Sequence, residues 1–186
     1  MGLGGAALAA GIAVSGGRGR EADERAFRAV NGAADGRVDR VASAITELGS
    51  IWASVGAAAI LAASGRRRAA AKGLAAAGIA WLAGQGLKKL FERPRPYTAD
   101  PEGTRLLIGP PRATSWPSSH PAVLLAFVET VGREAGLRPS ARAALTGLAG
   151  AVGVSRVVVG VHYPGDVAGG LLLGRTVAEC VSGGGR

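Results

Sequence analysis

Uncharged stretches closed by clusters of charge dominate this chain, and their lengths predict helices that cross a bilayer. Val41 to Ala63 runs 23 residues with Glu47 as its only charge, about 34 Å of helix at 1.5 Å per residue. It ends at Gly65-Arg66-Arg67-Arg68. Ala69 to Leu87 follows, weakly hydrophobic but rich in the Ala and Gly that let membrane helices approach closely, with Lys72 placed to snorkel. Beyond a polar loop over 88–117 come apolar stretches from His120 to about Leu137, Ala143 to Val161 and Val167 to Val181. Glu129 and Arg133, and Arg175 and Glu179, are spaced four apart, so each pair partly neutralises itself on a helix. The pattern predicts an all-α fold: a polytopic membrane helical bundle with about five spanning helices.

The N-terminal third reads differently. Residues 1–16 are apolar but short for a span, and they lack the basic flank of a secretory signal. From Arg18 to Arg40 charge is dense, yet Phe27, Val30, Ala34, Val38 and Val41 recur at steps of three and four. That spacing fits an amphipathic helix lying on a surface, or equally a solvated linker helix. The expected organisation is an ambiguous, apolar or flexible segment over 1–20, one membrane-embedded domain over 21–182 and a flexible tail over 183–186.

Charge settles orientation. Lys plus Arg number 22 against 13 Asp plus Glu, a net +9 that fits either nucleic acid or anionic lipid. The cations fall in short loops and at span ends, with no single basic stripe, which argues against nucleic acid. The basic loops 65–72 and 132–142 are predicted to be cytoplasmic by the positive-inside rule. The 88–117 loop and the turn at His162 then share the extracytoplasmic face, with Tyr97, Trp116 and Tyr163 at interfacial depth. The lone Cys180 excludes an internal disulfide and is expected to be a small packed residue. Two histidines without a carboxylate cluster argue against a metal centre.

Three segments on that face carry candidate chemistry. Lys88 to Tyr97 ends in two Arg-Pro pairs, where basic residues also serve as headgroup anchors. Pro117-Ser118-Ser119-His120-Pro121 reads as a helix start, with serine as cap and Pro121 in the first turn. Capping does not account for an imidazole at a helix mouth that favours anions. Ser155-Arg156 leads through a valine run to His162 and Asp166, and an arginine there is costly unless paired. With Pro164 in the first turn of the next helix, Asp166 lies within reach of His162 Nδ1. That contact fixes the tautomer and leaves Nε2 as a nucleophile or proton acceptor. Lys88, Arg95 and Arg156 together suit a tetrahedral phosphate dianion.

The spacing Lys88-x6-Arg95-Pro96, Pro117-Ser118-Ser119-His120 and Ser155-Arg156-x5-His162-x3-Asp166 resembles the type 2 phosphatidic acid phosphatase family, whose soluble relatives include the vanadium haloperoxidases. Only Lys88 stands seven residues before an Arg-Pro; for Arg93-Pro94 the corresponding position is Gly86. Ser119 replaces the family's glycine, which raises the question of whether that glycine serves through its backbone freedom or only through its N–H. The resemblance implies catalytic roles for His162 as nucleophile, Asp166 as its orienter and His120 as acid then base. It assigns Lys88, Arg95, Arg156, Ser118 and the Ser119 backbone to the phosphate oxygens, with no metal and no cofactor.

The implied function is hydrolysis of a lipid phosphate through a phosphohistidine, on a polyprenyl (di)phosphate or a decaprenyl-phosphoryl phosphoribose type of cell-wall lipid. Phosphatidic acid and phosphatidylglycerol phosphate are alternative substrates, and a non-catalytic lipid-binding scaffold is the alternative of another class. Transfer of the phosphoryl group to an acceptor other than water is a third reading.

Overall fold

The computed structural model describes residues 17–183, together with Gly5, Ala9, Gly11 and Ile12. The remainder of 1–16 and residues 184–186 lie outside the described residues; of the expected tail over 183–186, Gly183 is described and ends the last helix. The described chain is helical with no strand: α1 (Gly17–Ala33), α2 (Gly36–Ile45), a 3₁₀ turn (Thr46–Gly49), α3 (Ile51–Ala63), α4 (Arg67–Phe91), the short α5 (Pro96–Ala99), α6 (Ser119–Glu134), α7 (Pro139–Val158) and α8 (Pro164–Gly183).

Helix α6 is the axis of the bundle. Every residue from Pro121 to Gly132 is buried, as expected of a helix packed on all sides. Helix α4 docks on it through a small-residue stripe, Ala69, Gly73, Ala76, Ala80 and Gly84, that ends in buried Lys88. A Cβ on Gly73 would meet the Val131 side chain at 2.5 Å. Helix α8 approaches from another side through Gly170 and Gly174, whose bare Cα atoms face the Ser118 and Ala122 carbonyls. These two contacts carry the end of α4 and the start of α8 to the mouth of α6.

The stretch expected as one span from Val41 is broken. Helix α2 and its 3₁₀ turn meet α3 at 65°. Ser50, extended at ψ 153°, starts α3 anew and accepts from Ala53 N at 3.1 Å. Among the described residues, α7 alone is long and apolar enough to cross a bilayer by itself, and the bent pair would make a second such element. Large apolar side chains nevertheless face outward from the bundle: Trp52 and Ile60 on α3, Ile79, Trp81, Leu82 and Leu90 on α4, and Val154 on α7.

Helix α1 is held to the bundle by a narrow, partly polar stripe. Its buried residues are Asp23, Phe27 and Asn31, four apart, while Val30, Val38 and Val41 of the predicted apolar face are exposed. Asn31 Nδ2 donates to the Val158 and Arg105 carbonyls at 2.8 and 3.0 Å, so polar bonds hold α1 to the end of α7. Other expectations also change. Trp116 is fully buried, its ring centroid 4.3 Å from that of Phe91, and Tyr163 is buried against Phe27, so both rings pack inside the protein. Cys180 is exposed. Lys72 does not snorkel into solvent but pairs with Glu134 at 2.6 Å. Glu129 is bound by Arg133 (3.2 Å), Arg175 (3.1 Å) and Thr146 (2.8 Å), a wider network than the single predicted pair.

Candidate active site

The chain leaves α7 through a turn that only glycine fits. Gly160 has φ +84°, and a Cβ there would run into the Arg105 carbonyl. Val161 N and His162 N both reach back to Arg156 O at 3.2 Å, which swings the imidazole inward over the end of α7. Pro164 then opens α8, so Asp166 sits one turn from His162, as the sequence predicts.

His162 is held by both ring nitrogens. Nδ1 lies 3.3 Å from Asp166 Oδ2, and Nε2 lies 3.1 Å from Arg95 Nη1. A guanidinium only donates, so Nε2 must accept and the proton resides on Nδ1, facing the carboxylate. The lone pair of Nε2 therefore points toward Arg95. Burial, then the positive fields of Arg95, Lys88, Arg156 and the neighbouring His120, hold His162 well below the ordinary imidazole range. It is neutral, with an available lone pair.

Asp166 is wholly buried. It accepts from Tyr163 N at 2.9 Å, from the Ser115 hydroxyl in a short contact and from Arg93 Nη1 at 2.7 Å. Arg95 donates Nε to Ala113 O (2.5 Å) and Nη1 to Val161 O (2.8 Å). Lys88 Nζ donates to the carbonyls of Thr114, Ser115 and Pro117 at 2.9, 3.1 and 2.7 Å. Its three donors are spent on folding this segment, which contains the cis Trp116–Pro117 bond, across the mouth of α6. Arg156 Nη1 donates to Thr46 Oγ1 at 2.8 Å, while its buried Nε has no partner.

Residues at the mouth of α6 complete the set. Ser118 does not cap the helix: its N–H donates to Asp166 O at 3.0 Å and its buried hydroxyl is unpartnered. The first-turn N–H groups are thus left uncapped by a side chain, a feature that suits an anion. Pro121 stands in that first turn, two residues after Ser119 begins the helix. His120 is partly buried, its Cβ against Gly49, where a glycine Cβ would approach to 2.7 Å. Ser119 answers the question its substitution raises. It is not among the residues of positive φ, so no backbone freedom is lost. Its hydroxyl is buried without a partner, 3.4 Å from where a Cβ on Gly84 would lie.

The predicted residues thus gather at one end of the bundle. Four participants escape the sequence reading: Arg93, Asp23, Ser115 and Thr46. Arg93 was set aside by motif spacing, although a second Arg-Pro pair beside the first is itself a signal. Asp23 and Thr46 enter only through the packing of α1 and the bend after α2, which no local pattern shows.

Comparison with known proteins now has a geometry to meet. Residues 69–182 match the family PAP2, the PAP2 superfamily. The chain is 37% identical over 102 residues to decaprenylphosphoryl-5-phosphoribose phosphatase of Mycobacterium tuberculosis, in strains CDC 1551 / Oshkosh and ATCC 25618 / H37Rv. That match covers 54% of this chain and 53% of the relative, so it spans about half the length of each. In fold, it is similar to the transmembrane PAP2 type phosphatidylglycerolphosphate phosphatase of Bacillus subtilis (TM-score 0.81, 24% identity, 97% of this chain and 92% of that one). It is also similar to Aquifex aeolicus LpxE (TM-score 0.77, 25% identity, 84% and 92% covered).

Proposed function

The chain belongs to the PAP2 superfamily, and from that premise we propose that it is a membrane-embedded lipid phosphatase working through a phosphohistidine on His162. The observation that carries this reading is His162 fixed between Asp166 and Arg95, its Nε2 lone pair free of a proton. When phosphate enters, Arg95 exchanges the imidazole for a phosphoryl oxygen and uncovers the nucleophile. Nε2 attacks phosphorus, the P–O bond to the leaving group breaks, and His120 gives that oxygen its proton. Neutral His120 then takes a proton from water, whose oxygen attacks phosphorus and breaks the P–N bond. Arg156 Nε and the Ser118 hydroxyl, buried and unpartnered, supply donors for the phosphoryl oxygens as charge builds on them.

A lipid substrate is favoured by the surroundings of the site. An apolar groove of about 510 Å³ runs between α2 and α7, lined by Val38, Val41, Ala42, Ile45, Val154 and Val158. Two of its lining residues, Ile45 and Ser155, are followed in the chain by Thr46 and Arg156, which hydrogen-bond to each other at the site. A hydrocarbon tail lying there would place its phosphate beside Arg156. The decaprenylphosphoryl-5-phosphoribose phosphatase relatives support a polyprenyl-linked substrate.

The outward Trp, Ile and Leu side chains of α3, α4 and α7 fit contact with lipid. In this reading the bent α2–α3 pair, α4, α6, α7 and α8 are the five membrane-embedded elements. The 65–68 and 135–138 connections are cytoplasmic by their charge, and the site opens on the extracytoplasmic side.

The test is turnover by protein purified in detergent. Inorganic phosphate is released from a polyprenyl phosphate, an acid-labile, base-stable phosphoenzyme is trapped by rapid quench, and both are lost in His162→Ala. Phosphate release without any phosphoenzyme, or full turnover in His162→Ala, would remove the nucleophile assignment.

A further inference from the structure

Arg93 lies outside the three motifs, yet it is as deeply buried as Arg95, at 6% and 5% exposure. Its guanidinium bridges two carboxylates: Nη1 donates to Asp166 Oδ1 and Nη2 to Asp23 Oδ2, each at 2.7 Å. The Tyr163 ring covers it, with Cζ 4.1 Å from the ring centroid, and Phe27 of α1 packs edge-on against that ring. The second oxygen of Asp23 accepts from Gly165 N, in the first turn of α8, at 2.7 Å. Helix α1 therefore grips the guanidinium and the backbone beside Asp166 with one buried carboxylate.

The charge count explains why two acids share one arginine. A lone Arg93 paired with Asp166 would neutralise it. Asp23 takes up one face of the cation, so the trio keeps a net charge of one negative, and that charge lies against His162. The imidazole becomes cationic as Nε2 bonds to phosphorus, and the carboxylate beside Nδ1 stabilises that form only if its charge is not already spent. Orientation follows the same bonds. Arg93 holds Oδ1, which leaves Oδ2 to face Nδ1.

We propose that Asp23 and Arg93 are positioning residues for phosphoryl transfer: α1 supplies a buried carboxylate that, through Arg93, aims Asp166 at His162 and preserves its charge. This rests on reading His162 as the nucleophile. Asp23 lies N-terminal to the 69–182 segment that matches the family, so the helix before the family match completes the site. Neither residue touches the place of the phosphate. Around the trio, Ser115 and Tyr163 complete the contacts of Asp166, and Arg20 and Glu24 of α1 flank Tyr163. Lys88, Arg95, Arg156 and His120 face His162 from the other helices.

The experiment is a double-mutant cycle on purified full chain, with steady-state turnover and the rate of phosphoenzyme formation as readouts. Arg93→Met and the isosteric Asp23→Asn should each lower kcat about tenfold or more, leave KM within about twofold, and slow phosphoenzyme formation to match. Arg93→Lys should recover part of the loss. In an Asp166→Asn background, either change should cost less than about twofold more, because its route to the nucleophile is already cut. If Arg93→Met does not fold, Asp23→Asn carries the same cycle alone. Losses that multiply in the Asp166→Asn background, or that appear in KM with kcat preserved, would overturn the proposal. Full turnover in Asp166→Asn itself would overturn both the proposal and the reading of the site on which it rests.

Discussion

Arg95 Nη1 stands 3.1 Å from His162 Nε2, a cation turned toward the lone pair of the residue we read as the nucleophile. A cation so placed disfavours a second proton on the ring, and burial acts in the same direction. The neutral, reactive form of His162 therefore persists below the ordinary imidazole value of about 6.5. The acid limb of kcat/KM, which reports the free enzyme, is expected below that value. Arg95→Gln should lower kcat/KM and also move the limb toward neutral pH, since removing a positive charge lets the imidazole protonate more readily. Read with a substrate whose phosphate ionises outside this range, an unmoved limb would detach Arg95 from His162.

Arg156 offers a second, binding test. Its Nε is buried without a partner and Thr46 takes only Nη1, so the free protein keeps an unmet donor that an oxyanion can satisfy. Orthovanadate, which mimics the five-coordinate phosphorus, is expected to inhibit and to stabilise the fold. At a hundredfold excess over Kd the gain is about 2.7 kcal/mol, read as a rise in Tm. Arg156→Met should abolish that rise. A vanadate-dependent shift that survives in Arg156→Met would place the anion elsewhere.

The motifs were legible in sequence because each is local. Lys88 and Arg95, Ser118 to His120, and Arg156 to Asp166 each lie at helix ends, and the resemblance to the family picks out which side chains belong together. The clamp was not legible. Asp23 and Arg93 are 70 residues apart, and the period from Phe27 to Val41 misleads: Val30 of α1 and Val38 and Val41 of α2 are exposed, while Asp23, Phe27 and Asn31 point in. Hydrophobicity marks an apolar face but not a helix anchored through an aspartate and an asparagine. The bend after Thr46 was hidden for a related reason. Composition over 41–63 is that of a straight span, and only Ser50, capping a new helix, marks the break. Gly170 and Gly174, one turn apart, make the contact that brings α8 to α6, and hydropathy gives no sign of it.

That glycine pair yields a stability prediction whose sign is opposite to helix propensity. Alanine ordinarily gains about 0.8–1.0 kcal/mol over glycine inside a helix. At Gly174 a Cβ would lie 2.5 Å from the Ala122 carbonyl oxygen, a backbone atom that cannot yield. Gly174→Ala is expected to destabilise by about 1–3 kcal/mol instead, and Gly170→Ala, which pushes on the Ser118 carbonyl, to impair turnover as well. Gly147→Ala, with nothing within 4 Å, is the control and should be neutral or stabilising. Thermal melts in one detergent compare all three. Equal behaviour of Gly174→Ala and Gly147→Ala would deny the close α6–α8 contact.

Orientation can be decided by where a thiol is reached. The site loop and the basic connection between α6 and α7 lie at opposite ends of α6, and the positive-inside rule predicts a cytoplasmic basic end. Cys180 is exposed and must first be removed as Cys180→Ser. In that background Glu102→Cys, on the exposed loop beside the site, should react with a membrane-impermeant maleimide on intact cells. Ser140→Cys, exposed at the start of α7, should react only after lysis. The reverse pattern would turn the site toward the cytoplasm and require a substrate from the inner leaflet. Labelling of both residues on intact cells would mean that α6 does not separate them across a bilayer, and the membrane-spanning reading itself would fall.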